Sequence, residues 1–200
     1  NKGLLPYVRL GRMHAFSSRL ALEQMTQRLS CCGERGTYYF EHLLLPHYNY
    51  VFDEQCGILP FGQWRGRTVY SNEPQEALAE RRNLYRLHFG QAVCTAHEIF
   101  KLTDILDKKQ KIADTVVLVH SDHGSRIAIE NYQKIKPAGY TKSNYEQDWR
   151  GSFIAIRIPS MNGRIIDEPV RLDAFYKNLM ENNFQKLDIE KLTRMSDSPY

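Results

Sequence analysis

The sequence has no long hydrophobic run, few glycines and prolines, and no block of like charge. Its longest apolar stretches are 43–45, 116–119 and 153–156, whereas a membrane-spanning helix needs about 20 such residues. The 12 glycines and 8 prolines exclude a collagen-like or low-complexity chain. The 27 basic and 23 acidic residues give a net charge of only +4, and no nucleic-acid-binding motif accompanies them, so we expect no nucleic-acid partner.

Cysteine is scarce as well. The four cysteines are Cys31, Cys32, Cys56 and Cys94, and none of them has the C-x-x-C spacing of a zinc ribbon or a thioredoxin-type motif. Cys56 falls in a predicted loop and Cys94 in a predicted helix, so these two can pair in an oxidising compartment. Free buried thiols explain the same residues equally well.

What the sequence does have is enough apolar residue content for a core. Hydrophobic residues make up 42% of the chain, which is typical of a globular protein. At 200 residues a single domain is the prior expectation. We assign it to residues 1–182, followed by a polar tail at 183–200. The chain begins Asn-Lys-Gly without an initiator methionine, so we expect it to be a piece of a longer protein.

Hydrophobic periodicity predicts alternating helices and strands. Helices are predicted at 13–29, 73–109 and 172–180, strands at 37–45, 115–120 and 153–158, an irregular segment at 47–72, and a polar surface excursion at 127–151. The strand at 115–120 is apolar without alternation, which is typical of a parallel-sheet strand buried on both faces. The order of elements therefore predicts a layered α/β fold with a mostly parallel sheet flanked by helices.

Two of the predicted strands lead into histidine-bearing segments, and functional residues of open α/β sheets gather beyond the carboxyl ends of strands. The first strand leads to His47, and the second leads to His-Ser-Asp-His-Gly at 120–124. Asp122 and His123 are ligand types that suit zinc or manganese. The planar guanidinium of Arg126 fits a phosphate or sulfate in bidentate fashion. The sequence thus predicts a metal and oxyanion site after the second strand.

Two other interpretations of these residues fit less well. The HxHxDH motif of metallo-β-lactamases would need a histidine where Leu118 stands. A catalytic triad built from Ser121 and His123 lacks the G-x-S-x-G turn that exposes such a serine. We expect Gly124 to let the backbone turn sharply after the ligands.

The segment Val-His-Ser-Asp-His-Gly after an apolar strand resembles the SDHG segment of the sulfatase and alkaline-phosphatase superfamily. Residues 40–53, Phe-Glu-His-Leu-Leu-Leu-Pro-His-Tyr-Asn-Tyr-Val-Phe-Asp, are similar to the preceding strand and loop of membrane-anchored members, the sulfatase-like phosphoglycerol and phosphoethanolamine transferases. Residues 153–159 and 170–180 are similar to their closing strand and helix. The resemblance spans 37–180 and implies the C-terminal part of an alkaline-phosphatase-like domain.

The resemblance implies roles for individual residues. Asp122 and His123 would be ligands of a divalent metal (Mn, Zn, Ca or Mg). His47 would be catalytic and substrate-binding, contacting the transferred phosphate or sulfate or its leaving group, and Arg126 would be a further substrate contact. His120 would have a supporting role. The family nucleophile and first acidic ligands lie upstream of such a region, and we find no nucleophile here, because Cys31 and Cys32 lack the sulfatase signature C-x-P-x-R.

The resemblance also implies a location and a substrate class. We expect a domain on the extracytoplasmic (periplasmic) face of a bacterial cell membrane, anchored by a segment upstream, with Cys56 and Cys94 bonded to each other. The substrate would be a phosphate or sulfate ester such as a lipid or a cell-envelope glycan. The missing nucleophile leaves an alternative open, namely a degenerate, non-catalytic binding or interaction domain.

Overall fold

The computed structural model describes residues 13–32, 36–65, 74–109, 111–127, 141–159, 161–163, 165–167 and 169–196. Its helices are α1 (His14–Cys32), α2 (Pro74–Lys108), α3 (Lys142–Arg150), α4 (Leu172–Glu181) and α5 (Ile189–Ser196). Its strands are β1 (Val117–His120) and β2 (Ile154–Arg157). The chain divides into two compact units, Asn1–Lys109 with Ser121–Phe153, and Gln110–His120 with Ile154–Tyr200.

The first unit is built on the packing of α1 against α2. One core cluster joins Ala15 of α1 to Cys94 of α2 through Leu45, Val51 and Phe52 of the intervening segment. The buried Glu98 carboxylate of α2 forms an ion pair with the Arg19 guanidinium of α1 at 3.4 Å. These contacts bury the apolar side of each helix, which is where most helical stability in proteins comes from.

The disulfide expected from the resemblance is present. Cys56 in the irregular segment is bonded to Cys94 on α2, with their Cα atoms 4.9 Å apart, a separation typical of disulfides. Cys31 is disulfide-bonded as well, which agrees with its rejection as a nucleophile. The prediction that Cys56 and Cys94 pair is therefore confirmed.

The second unit contains an antiparallel pair of strands. β1 pairs with β2 in a register that places Val117 opposite Arg157 and His120 opposite Ile154. Its core is formed by apolar side chains from the residue after β2, from α4, from α5 and from the connection between these two helices, namely Ile158, Ala174, Phe175, Leu179, Leu187 and Leu192. The last helix of this core lies in the segment that the sequence presents as a polar tail.

The observed elements confirm the mixed α/β class. The helices α1, α2 and α4 and the strands β1 and β2 lie where the periodicity predicts them. Within the described residues the only named sheet is the two-stranded antiparallel pair, so a layered parallel sheet is not shown. β1 is half-buried rather than covered on both faces. None of the described helices has the length and hydropathy of a membrane span.

The predicted strand at 37–45 is wrong, because these residues have no regular secondary structure. A strand needs a neighbouring strand to satisfy its backbone groups, and here the Leu44 N–H donates instead to the Ser18 hydroxyl at 2.8 Å. The aromatic residues that suggested a buried strand are exposed, Tyr38 to 82% and Phe40 to 71%. Residues 37–45 have the composition of a strand, but no described strand pairs with them.

The polar excursion at 127–151 contains a helix that the periodicity missed, α3. Thr141 caps this helix, since its hydroxyl accepts the Asn144 N–H at 3.1 Å and the Asn144 side chain accepts the Thr141 N–H at 3.0 Å. This reciprocal arrangement is a capping box, with asparagine in place of the usual Glu or Gln. α3 packs against residues 124–126, directly after Asp122 and His123.

Candidate functional site

The turn after β1 places Asp122 and His123 side by side. The His123 Nδ1 lies 2.6 Å from the Gly124 carbonyl oxygen. Because a carbonyl oxygen can only accept, Nδ1 carries a proton, and in the neutral ring Nε2 then has a free lone pair. Nε2 lies 3.4 Å from Asp122 Oδ2. The Asp122 side chain is 79% exposed and that of His123 is 21% exposed. The Asp122 carboxylate is therefore accessible, and the contact of Nδ1 with the Gly124 carbonyl holds the His123 ring in place.

This pair fits two ligands of one divalent metal. Metal-binding histidines characteristically donate their other ring N–H to a carbonyl or carboxylate, as His123 does to Gly124. Two ligands at tetrahedral positions, each about 2.0–2.1 Å from zinc, lie roughly 3.3 Å apart, close to the 3.4 Å observed. Within the part of the chain that the structure describes, no cluster of three or more His, Cys, Asp or Glu side chains forms. The described residues therefore supply two ligands for such an ion.

Helix α3 contacts the residues of this turn that follow His123. The Arg126 N–H donates to the Asp148 carbonyl at 3.0 Å, and the Ser125 hydroxyl donates to the Asp148 carboxylate. Gly124 does not adopt a left-handed conformation, so the structure gives this glycine a different role from the conformational freedom that the sequence suggests. It is required because a Cβ at this position would clash with the backbone at the end of α3, at 2.7 Å from the Gln147 carbonyl oxygen.

We predict that Gly124→Ala destabilises the protein by about 2 kcal/mol, because overpacking against backbone costs about 1–3 kcal/mol. The matched control is Gly62→Ala, since a Cβ at Gly62 meets nothing within 4 Å. Urea denaturation of the two variants measures the difference. Equal midpoints for Gly124→Ala and wild type would contradict the close approach of α3 to the turn.

His47 follows a cis Leu45–Pro46 bond in the segment before α2. Its Nδ1 lies 2.6 Å from the Tyr48 carbonyl oxygen, and the two rings stack with their centroids 4.0 Å apart. The side chain is exposed. The carbonyl again fixes the proton on Nδ1, so Nε2 is the nitrogen that His47 presents to solvent.

Gln91 of α2 fixes the backbone around His47. Its side chain is fully buried. Its Nε2 donates to three backbone carbonyls of the loop, and its Oε1 accepts two backbone N–H groups. The partners are the carbonyls of Pro46 at 3.3 Å, His47 at 2.8 Å and Asn49 at 3.4 Å, and the N–H groups of Val51 at 2.8 Å and Phe52 at 3.3 Å. One side chain thus sets the path of residues 46–52.

We predict that Gln91→Leu lowers the free energy of unfolding by about 3 kcal/mol. The substitution leaves the buried N–H groups of Val51 and Phe52 without their acceptor, and each unsatisfied buried group costs about 1–3 kcal/mol. Gln27→Leu on the exposed face of α1 is the control and should stay within about 0.5 kcal/mol of wild type. Chemical denaturation of both variants decides; a Gln91 variant as stable as the control would contradict the bonding described.

The segment after His47 and the segment after Asp122 pack against the same stretch of α2. Ile127, just beyond the Asp122 turn, packs in one buried cluster with Tyr50, just beyond His47, and with Leu84 and Leu87 of α2. Both segments therefore belong to the first unit and pack against α2. The structure does not bring all predicted residues there, because His120 lies in the second unit, edge-on to Tyr176 at 5.8 Å.

Arg126 also belongs to the first unit, beside α3. Its guanidinium lies over the Trp149 ring, 5.6 Å from the ring centroid, and the residue has a left-handed φ of 53°. Stacking occupies a face of the guanidinium and leaves its in-plane N–H groups as donors. The side chain is exposed and can turn these donors toward an anion.

His88 of α2 is a titratable residue that the sequence interpretation missed. Burial lowers its pKa from the ordinary value of 6.5, while the nearby Asp148 carboxylate and the Pro46 carbonyl raise it and His47 lowers it further. The ring meets Tyr50 edge-to-face at 5.8 Å. The charged and polar groups near His88 thus belong to the segment carrying His47 and to α3.

A signal for these residues exists in the sequence. The buried positions Leu84, Leu87, Gln91 and Cys94 lie on one helical stripe, and His88 belongs to the same stripe. Two polar side chains on an otherwise apolar stripe indicate buried polar partners, although their identity depends on tertiary structure.

Comparison with family models, curated proteins and solved structures gave no significant match for this chain.

Proposed function

We propose that this chain is the C-terminal part of a metal-dependent enzyme that transfers or hydrolyses a phosphate or sulfate ester, of the sulfatase-like type. The pair formed by Asp122 and His123, with Nε2 and Oδ2 at 3.4 Å, carries the proposal. The histidine-bearing loop around His47 in the same unit supports it. The layered, mostly parallel sheet of an alkaline-phosphatase-like domain belongs to this proposal.

Asp122 Oδ2 and His123 Nε2 would hold a divalent metal (Mn, Zn, Ca or Mg). When bound, such an ion would supply positive charge against the transferred group and would favour the ionised form of a nucleophile. The nucleophile and the remaining acidic ligands would come from upstream of this chain. The Gly124 carbonyl and α3 keep the His123 ring oriented, so that the ligand geometry does not have to form when the ion arrives.

His47 would serve the leaving group. With Nδ1 donating to the Tyr48 carbonyl, a protonated His47 has one further N–H at Nε2, which can donate to the leaving oxygen as a general acid. Arg126 would bind the oxyanion through its in-plane N–H groups. Gln91 would be a positioning residue, because its side chain bonds the backbone of the His47 loop.

The disulfide between Cys56 and Cys94 supports the proposed extracytoplasmic location, since disulfides persist in oxidising compartments. We propose that the domain faces the periplasm of a bacterial cell and is tethered to the membrane by a segment upstream. A lipid or cell-envelope glycan carrying the phosphate or sulfate is the substrate class that this location favours.

The test is turnover of phosphate and sulfate esters by the full-length protein that contains this chain. His47→Gln should lower kcat by about 10²–10⁴-fold, the range for loss of a general acid or base. His42→Gln, an exposed histidine of the same segment, should leave kcat unchanged. If His47→Gln turns over as fast as His42→Gln, His47 has no catalytic role, and the non-catalytic alternative gains support.

A further inference from the structure

Arg126 has a backbone conformation that residues with a side chain rarely adopt. Its φ of 53° lies in the left-handed region, which costs free energy for any residue with a Cβ atom. Such residues persist where the surrounding structure fixes them, and they cluster at active sites and ligand clamps. Contacts from a neighbouring element are therefore needed to hold Arg126 in place.

The last turn of α3 supplies these contacts. The Arg126 N–H donates to the Asp148 carbonyl at 3.0 Å, and the Ser125 hydroxyl donates to the Asp148 carboxylate. The guanidinium carbon of Arg126 lies 5.6 Å from the centroid of the Trp149 ring, within the range of a cation–π contact. Asp148 thus holds the backbone of Arg126, and the half-buried Trp149 holds its side chain.

The Arg126 guanidinium is accessible to a ligand from solvent. The residue is exposed, and no acidic side chain in the described part of the chain forms an ion pair with it. The Asp148 carboxylate is hydrogen-bonded to Ser125. A guanidinium that lies over an aromatic ring keeps its in-plane N–H groups as donors, and their fork matches the oxygens of a phosphate or sulfate.

We propose that Trp149 is a positioning residue, which holds the Arg126 guanidinium ready for the phosphate or sulfate group of the substrate. This inference rests on the proposed function and adds to it a residue of α3 that need not touch the substrate. Binding an anion orders a flexible side chain at an entropic cost, and a guanidinium that is already held loses less freedom. Loss of the Trp149 ring should therefore weaken anion binding although Arg126 keeps its charge.

The experiment titrates the ¹⁵N-labelled 200-residue chain with inorganic phosphate and, separately, with inorganic sulfate. NMR follows the backbone amides of residues 124–126 and the Arg126 Nε–H group. Trp149→Leu should weaken binding of the preferred anion by about threefold to tenfold, the equivalent of one cation–π contact. Trp149→Phe keeps an aromatic face and should bind within about twofold of wild type. Trp149→Met is a second non-aromatic variant if Trp149→Leu does not fold.

Two further variants calibrate the titration. Arg126→Asn removes the guanidinium but keeps a residue that tolerates the left-handed conformation, and it should weaken anion binding by about tenfold or more. Lys142→Gln removes a positive charge from the first turn of α3, where Lys142 is ion-paired with Glu146 at 3.7 Å. This control should leave anion affinity unchanged.

Failure of the inference and failure of the proposed function give different results. If Arg126→Asn weakens binding but Trp149→Leu binds as the wild type does, Trp149 is not a positioning residue, and the anion contact of Arg126 stands. Equal losses in Trp149→Leu and Trp149→Phe would also overturn the inference, because the aromatic face would then not be the cause. A wild type that binds neither anion, or an Arg126→Asn variant of unchanged affinity, overturns it together with the proposed role of Arg126.

Discussion

Replacing Asp122 with Ala should lower the affinity of the chain for Mn²⁺ or Zn²⁺ by more than about 100-fold while leaving its stability within about 0.5 kcal/mol of wild type. Loss of an outer-shell partner of a metal ligand already costs about 10–100-fold in affinity, and Asp122 would be a direct ligand. Stability should hold because the side chain is 79% exposed, and exposed substitutions away from special features have small effects.

Isothermal titration of metal into the wild type and the variant measures the first quantity, and urea denaturation measures the second. Asp104→Asn, an exposed carboxylate on α2, is the control and should bind metal as the wild type does. Unchanged metal affinity in Asp122→Ala would contradict the proposal that Asp122 is a metal ligand. A large loss of stability would instead make Asp122 a structural residue.

Replacing Cys56 and Cys94 together with Ala should lower the free energy of unfolding by about 4 kcal/mol. The bridge closes a loop between residues 38 positions apart, and for a loop of that length the chain-entropy model gives about 4 kcal/mol at 25 °C. Cys94 is also fully buried in the cluster that contains Leu45, Val51 and Phe52, so lost packing adds to the effect.

Denaturation with and without a reducing agent provides the measurement. The wild type should lose about 4 kcal/mol on reduction, whereas the double variant, which keeps only the bond of Cys31, should lose much less. A wild-type midpoint that is insensitive to a reductant which demonstrably breaks the bond would contradict this contribution. The result bears on function because Cys94 lies one turn beyond Gln91, so α2 fixes the segment after His47 at two points.

The elements that the sequence predicts correctly are those whose pattern is local. α1 and α2 show apolar residues at helical spacing, and β1 and β2 are short apolar runs, so their positions follow from periodicity. The segment at 37–45 fails because strand formation depends on a neighbouring strand. α3 is missed because its nine residues are mostly polar and exposed, leaving only its capping box as a signal.

The candidate site divides in the same way. Asp122, His123 and His47 are proposed from the sequence because their residue types follow predicted strands. His88 and Asp148 are not, since their importance comes from segments that fold against α2 and α3. Gln91 illustrates the limit, because its five backbone partners lie 39 to 45 positions away and no local pattern relates them.

The central claim is that Asp122 and His123 hold one metal ion. Anomalous X-ray scattering from crystals of the chain soaked in Mn²⁺ tests it most directly. The account predicts a peak within about 2.0–2.3 Å of both Asp122 Oδ2 and His123 Nε2, with His123 Nδ1 still bonded to the Gly124 carbonyl. Metal bound only at other side chains, with no peak between these two atoms, would contradict the account.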